Sequence, residues 1–178
     1  MFQKNIDHDI EVRLADESDY ADYVALLSEE DPRGAESEAA WKVSGNLEQV
    51  TNREIGFEFA ILFRGELAGT IRFKAISWDW KNRRANVGYQ LARRFRGQGI
   101  MTRALSGALD IVYQQLDFDR IEIDGDVRNV KSEAVAKRLG FKLEGITRHA
   151  MWEDGHPVDF WIYSMLAGEW YSATSRHC

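Results

Sequence analysis

Gln90-Leu-Ala-Arg-Arg-Phe-Arg-Gly-Gln-Gly-Ile-Met-Thr102 leaves an apolar strand, passes three arginines and two glycines, and enters a helix. The strand is expected over residues 85–91. The helix is expected from about Gly99, because Met101, Leu105, Ala108, Val112 and Leu116 recur at helical spacing on one face. Glycines at such a turn let a phosphate approach the backbone closely. The free N–H groups of the first helical turn then point at it, and the helix dipole adds positive potential. Arg94 and Arg96 add full charges. The stretch reads as a cradle for a pyrophosphate.

Two well-known phosphate loops do not fit it. A Walker loop ends in Gly-Lys-Ser/Thr, whereas Gly99 is followed by Ile100 and Met101. A Rossmann turn has its glycines directly at the strand end and a third small residue where Thr102 stands, and here residues 92–96 intervene. Arg94-Phe95-Arg96-Gly97-Gln98-Gly99 instead resembles the Arg/Gln-x-x-Gly-x-Gly/Ala coenzyme A signature of the GNAT superfamily of N-acyltransferases. The competing reading is a surface loop whose glycines only make a turn.

Composition sets the frame around this motif. At 178 residues, 44% hydrophobic and 29% charged, the chain suits one globular domain, 1–178, with a full core. No apolar run approaches the roughly 20 residues of a membrane span, and the acidic N-terminus does not read as a signal peptide. Cys178 is the only cysteine, so no internal disulfide or cysteine metal cluster is expected and a cytoplasmic location is the default. A net charge of −6 argues against nucleic-acid binding and is compatible with a cationic acceptor such as an amine.

Working outward, residues 10–14 alternate as an opening strand, and Asp16 or Ser18 offers a cap for a helix with Tyr20, Val24 and Leu27 on one face. A second helix is expected from Ser37 to about Val50, with Trp41 and Leu47 inward. Residues 57–64 and 67–76 form a hairpin around Gly65-Glu66. Residues 77–82 are a polar-aromatic loop carrying Trp78 and Trp80, whose rings suit an interface, a cleft or the core. Residues 119–127 form a strand with Glu122, Asp124 and Asp126 on one face, either solvated or lining a polar cleft. Asn129 caps a short helix that Gly140 terminates. Residues 141–151 and 158–166 close the chain as a strand pair.

Asn82-Arg-Arg-Ala-Asn-Val-Gly-Tyr89, the loop just described, Val127-Arg-Asn-Val-Lys-Ser132 and Arg138-Leu-Gly-Phe141 come in an order similar to the GNAT branch containing the bacterial ribosomal-protein serine/alanine N-terminal acetyltransferases. The resemblance covers residues 57–170. It implies an α/β (α+β mixed) fold: a mixed, mostly antiparallel sheet of about seven strands, flanked by about four helices, with a splayed central strand pair. It implies acetyl-CoA as cosubstrate, and no metal. Tyr89 and Leu91 would pair with the pantetheine arm. Arg94, Arg96, Gly97, Gln98, Gly99, Ile100 and Met101 would hold the diphosphate. Asn129 would bond the pantetheine amides or serve only as a helix cap, and Ser132 would protonate the departing thiolate. The early helices would wall the acceptor cleft.

The chain departs from the family pattern at the general base. Asn86 and Met151 stand where relatives carry glutamates, and neither side chain accepts a proton. Asp124, Asp126, His149, Glu153, Asp154 and His156 remain, and Asp124 is preferred because it lies on the strand bordering the cleft. A peptide α-amine with pKa about 7.8 is about one-seventh neutral at pH 7, whereas a lysine-like amine near 10.4 is less than about a thousandth neutral. A weak base therefore favours an α-amine acceptor. A small amine such as a polyamine, amino sugar or antibiotic stays open as the acceptor, as does a non-catalytic acyl-CoA sensor. The expected partners are the amine acceptor and a second copy in a homodimer, with neither nucleic acid nor membrane.

Overall fold

The computed structural model describes residues 2–46, 48, 56–75 and 82–174. The expectations placed on Leu47, Val50, residues 77–81 with Trp78 and Trp80, and Cys178 lie outside the described residues. In chain order the elements are β1 (Gln3–Asn5), β2 (Ile10–Leu14), α1 (Tyr20–Ser28), α2 (Ala35–Val43), β3 (Phe57–Phe63), β4 (Glu66–Ala75), β5 (Arg84–Leu91), α3 (Ile100–Gln115), β6 (Arg120–Asp126), α4 (Val130–Arg138), β7 (Lys142–Glu153), β8 (His156–Leu166) and α5 (Ala167–Thr174). The eight strands form one sheet in the order β1-β2-β3-β4-β5-β6-β8-β7. Every neighbouring pair is antiparallel except β5 and β6. Eight strands and five α-helices thus stand among the described residues, against about seven and about four expected. None of these helices is long and apolar enough to cross a membrane.

Two hairpins follow from two-residue turns. Arg64 and Gly65 both take positive φ, 53° and 81°, as do Asp154 and Gly155 at 49° and 78°. Such left-handed pairs match the twist of the strands they join. The first turn is therefore Arg64-Gly65, one residue earlier than expected, and Glu66 already belongs to β4. The core is built on β3, whose Phe57 stacks on Phe73 of β4 at 5.4 Å and meets Phe59 edge-on at 5.6 Å. α3 lays Leu105, Ala108, Leu109 and Val112 into it, all fully buried.

The two early helices differ from the expected pattern. Asp16 caps a single 3-10 turn, Glu17–Asp19, its own N–H donating back to the Asp19 carboxylate, and α1 starts only after it. Its buried residues are Tyr23, Leu26 and Leu27, while Tyr20 stays exposed. α2 begins two residues before Ser37 and ends at Val43. Trp41 is 55% exposed and not inward: its ring lies 3.6 Å from the Arg72 guanidinium carbon on β4. Charge explains the arrangement. Glu58, wholly buried in β3, accepts from Lys42 Nζ at 3.1 Å and Arg72 Nη1 at 3.3 Å, which ties α2 to this sheet face through ions and leaves the indole outside.

The feature that positions the site is the end of the parallel pairing. β5 and β6 are in register only at Arg84/Arg120, Ala85/Ile121 and Asn86/Glu122. β5 continues to Leu91, still paired with β4, and β6 continues to Asp126, still paired with β8. Beyond Asn86 and Glu122 the two strands no longer pair through their backbones, and of the groups on this edge of β5 the Leu91 carbonyl is taken by Arg96 Nε.

Gly69 of β4 keeps one wall of this gap in place. It lies opposite Leu91, and a Cβ there would stand 2.2 Å from the Gln90 carbonyl oxygen. Backbone cannot yield as a side-chain tip can. Gly69→Ala should therefore lower stability by about 1–3 kcal/mol, seen as a reduced Tm in thermal denaturation.

Candidate active site

The cradle is assembled by backbone conformation. After β5 a 3-10 turn, Arg93–Phe95, buries the Phe95 ring against Phe63 at 5.7 Å and so anchors the loop. Gly97 and Gly99 follow with φ of 78° and 74°, values that L side chains rarely adopt, and no Cβ at either would clash. Glycine is here a conformational requirement. Gly99 caps α3 without any side-chain bond, and the first N–H taken up is that of Arg103, on the Gly99 carbonyl at 3.2 Å. The N–H groups of Gly97, Gln98, Gly99, Ile100, Met101 and Thr102 have no acceptor among the described residues. That is the arrangement an anion needs at a helix start.

A groove of about 1100 Å³ runs from this loop along β5 to the start of α4. Tyr89, Leu91, Arg96, Gly97, Gly99, Ile100, Met101, Asn129 and Ser132, all expected at the site, line it together. Arg94 and Gln98 do not. The Arg94 guanidinium pairs with Glu66 and lies 4.7 Å from the Phe95 ring centre, and Gln98 Nε2 donates to the Arg94 carbonyl at 3.0 Å. Arg96 faces the groove with its charge partly met, since it donates to Glu30 at 2.5 Å and to the Leu91 carbonyl at 2.8 Å. That contact holds the Glu30 carboxyl below its usual range.

Cations that motif reading missed lie on α4. Lys131 and Arg138 both line the groove and form no ion pair among the described residues. Their spacing of seven puts them on one helix face, which was a readable signal. Asn129 caps α4 by accepting from the Ser132 N–H at 3.1 Å. Its amide nitrogen makes no bond among the described residues, so capping and ligand binding are compatible.

At the inner end of the groove the Tyr89 hydroxyl lies 2.9 Å from Ser132 Oγ and 3.1 Å from the Ser132 carbonyl oxygen. A hydroxyl has one proton. When Tyr89 donates to the carbonyl, Ser132 Oγ–H donates to the phenol oxygen; when it donates to Oγ, the serine proton is released for another acceptor. Burial pushes the Tyr89 phenol above its ordinary value, outweighing the opposing bond to Ser132, so it is a donor at neutral pH.

The three carboxylates on β6 are not equivalent. Burial raises the Glu122 carboxyl, but bonds from Arg120 at 2.7 Å and Arg84 at 2.5 Å outweigh this and leave it below the usual range. Asp126 is likewise held low by Arg128, which also takes Glu153. Asp124 is exposed, is in no ion pair among the described residues, and is bonded by the Asn86 side-chain amide across the first open step of the gap. Asp154 and His156 sit at the tip of the β7–β8 hairpin, and His149 lies on a bulge of β7 whose N–H donates to Asp159 at 2.8 Å. Asn86 thus holds the Asp124 side chain through its amide.

This combination of a half-open parallel strand pair, an uncapped glycine-led helix and a long groove matches a known family. The Acetyltransferase (GNAT) domain matches residues 9–142, and the chain belongs to that family. The chain is similar to YdaF of Bacillus subtilis (strain 168), 36% identical over 115 residues, which are 65% of this chain and 62% of that protein. It thus spans less than two thirds of that relative's length. It is 35% identical over 141 residues to the ribosomal-protein-serine acetyltransferase of Escherichia coli (strain K12), covering 79% of this chain and 73% of the other. Among solved structures, RimL, a ribosomal L7/L12 α-N-protein acetyltransferase in complex with coenzyme A, superposes with a TM-score of 0.82 at 28% identity, over 93% of this chain and 98% of that one.

The groove's charge is testable apart from catalysis. Replacing both Lys131 and Arg138 by Ala should raise the coenzyme A Kd by about tenfold at low salt, and the difference should shrink as ionic strength rises. Arg94→Ala should leave that Kd unchanged. Isothermal titration calorimetry checks both.

Proposed function

We propose that the protein transfers the acetyl group of acetyl-CoA to the N-terminal α-amine of a protein or peptide, of the ribosomal-protein kind. The observation that carries the reading is the gap where β5 leaves β6, flanked on one side by Ser132 with Tyr89 and on the other by Asp124. Acetyl-CoA fits the residues present: six free amides at a helix start suit its diphosphate, and unpaired backbone beyond Asn86 suits the amides of an extended arm. Bound there, it supplies a thioester carbonyl open to attack.

The chain's own groups then manage two protons. Asp124, with one oxygen on Asn86, takes the proton the amine sheds, directly or through water. Ser132 gives a proton to the departing sulfur and recovers one through Tyr89. One C–N bond forms and one C–S bond breaks, with no acyl-enzyme. A thiol with pKa near 8.5 leaves almost unaided, so the serine's contribution is modest. The names of the relatives support a protein acceptor, and an α-amine, already partly neutral at pH 7, asks little of the base.

The test is mass spectrometry of a panel of N-terminal peptides and diamines incubated with the protein and acetyl-CoA, with thiol release followed in parallel. Acetylation at peptide α-amines is expected. Coenzyme binding with no acetylated product, or product only on diamines, would overturn the reading. Ser132→Ala and Tyr89→Phe should each lower kcat by about ten- to a hundredfold and leave the coenzyme Kd in place. For a peptide acceptor, kcat/KM should rise about tenfold per pH unit and level off above about 7.8. Because the Tyr89 phenol is raised, the plateau should hold to about pH 10.

A further inference from the structure

The two faces of β5 have different surroundings. Tyr89 points to α4 and the coenzyme groove, so Asn86 and Gly88 point the other way. The register extends that second face across the gap. Arg72 of β4 stands opposite Gly88, Lys74 opposite Asn86, and Asn86 beside Glu122 of β6, with Asp124 two residues further along. Among the described residues, α2 covers this face over β3 and the neighbouring part of β4, through Lys42 on Glu58 and Trp41 on Arg72.

Gly88 is exposed, and a Cβ built on it would meet no atom of the described residues within 4 Å. Its φ is not in the left-handed region, so the backbone does not demand glycine there. Strand interiors disfavour glycine, which often marks a place where something approaches the backbone closely. Here the open strip lies beside the first unpaired step of the sheet. Its two banks carry opposite charge. On β4, Arg72 is partly matched by Glu58 at 3.3 Å, while Lys74 is exposed and in no ion pair among the described residues. On β6, Asp124 is the unmatched carboxylate.

We propose that the acceptor crosses the sheet over Gly88, with its amine on the Asp124 bank and the residue that follows on the Lys74 bank. Gly88 and Lys74 then decide which amines are accepted: the lane favours a peptide N-terminus followed by an acidic or neutral side chain. It disfavours a polyamine, whose second ammonium is brought beside Lys74. The inference rests on the N-terminal acetyltransferase reading above and adds two specificity-determining residues to it.

Lys74→Glu and Gly88→Ala separate the possibilities, because neither side chain holds the fold together. Each protein is assayed with acetyl-CoA against peptides differing only in an acidic or basic second residue, and against spermidine, with Tm and coenzyme Kd measured alongside. An exposed charge contact changes an equilibrium by up to about fivefold, and reversing its sign acts twice. Lys74→Glu should therefore lower the acidic-to-basic ratio of kcat/KM by about tenfold, less at high salt, and raise spermidine turnover. Gly88→Ala should reduce kcat/KM for every peptide at least about tenfold, with Tm and coenzyme Kd unchanged. Variants that match the wild type on all acceptors overturn the lane while leaving the acetyltransferase reading intact. A wild type that acetylates spermidine as well as the acidic peptide also overturns it. A wild type that binds the coenzyme and acetylates no peptide overturns the parent reading and this one together.

Discussion

Pairing between β5 and β6 stops after Asn86 and Glu122, and the rest of the molecule is built around that stop. A parallel pair that continued to Leu91 would satisfy every backbone group and leave nothing for a ligand to bond. Each strand has instead an intact partner on its far side, β4 for one and β8 for the other, so the opening does not loosen the sheet. The free amides and carbonyls face solvent in the groove, where water meets their hydrogen-bonding need until a ligand does. The Asn86–Asp124 bond and the Arg84–Glu122–Arg120 group sit at the fork and hold the two strands at their last common point.

The opposite flank is held by a less usual device. Glu58 has no exposure and is met by Lys42 from α2 and Arg72 from β4. Burying a carboxylate with two cations gains little over packed hydrocarbon, but removing one partner is costly, about 3–5 kcal/mol, because the others are then stranded. Such a cluster fixes position more than it adds stability. It sets how α2 lies on β3 and β4, and hence where the Trp41 ring stands relative to the open strip at Gly88. Asn46 completes it, donating to the Lys42 and Ala15 carbonyls and accepting from the Glu58 N–H.

Much of this was legible in the residues. The glycine turn into α3 was readable because glycines at 97 and 99 and an apolar stripe on α3 are local signals. The splay was reachable only through the family resemblance, since nothing in the alternation of β5 or β6 says where pairing ends. β1, three residues of Gln, Lys and Asn, carries no apolar pattern and exists because β2 offers it an edge. α5 went unread since its single buried residue, Trp170, gives no periodicity. Trp41 was expected inward on hydrophobicity alone, and the buried ions beneath it determined otherwise. Arg94 looked like a phosphate ligand by its place in the motif; whether an arginine turns to a ligand or to Glu66 depends on a residue 28 positions away. Lys131 and Arg138 had the right spacing, but a cation on a helix face reads as ordinary solvation.

The main-chain character of the cradle has a consequence for how such a protein can change over time. Six peptide N–H groups and two left-handed glycines make up the proposed coenzyme cradle, and amides are present whatever side chains surround them. Substitutions at most positions around the loop leave that chemistry untouched. The proposed acceptor lane is instead built from side chains, Lys74, Arg72, Trp41 and Asp124, each of which one nucleotide change can replace. A scaffold divided in this way can exchange its customers while keeping its fuel.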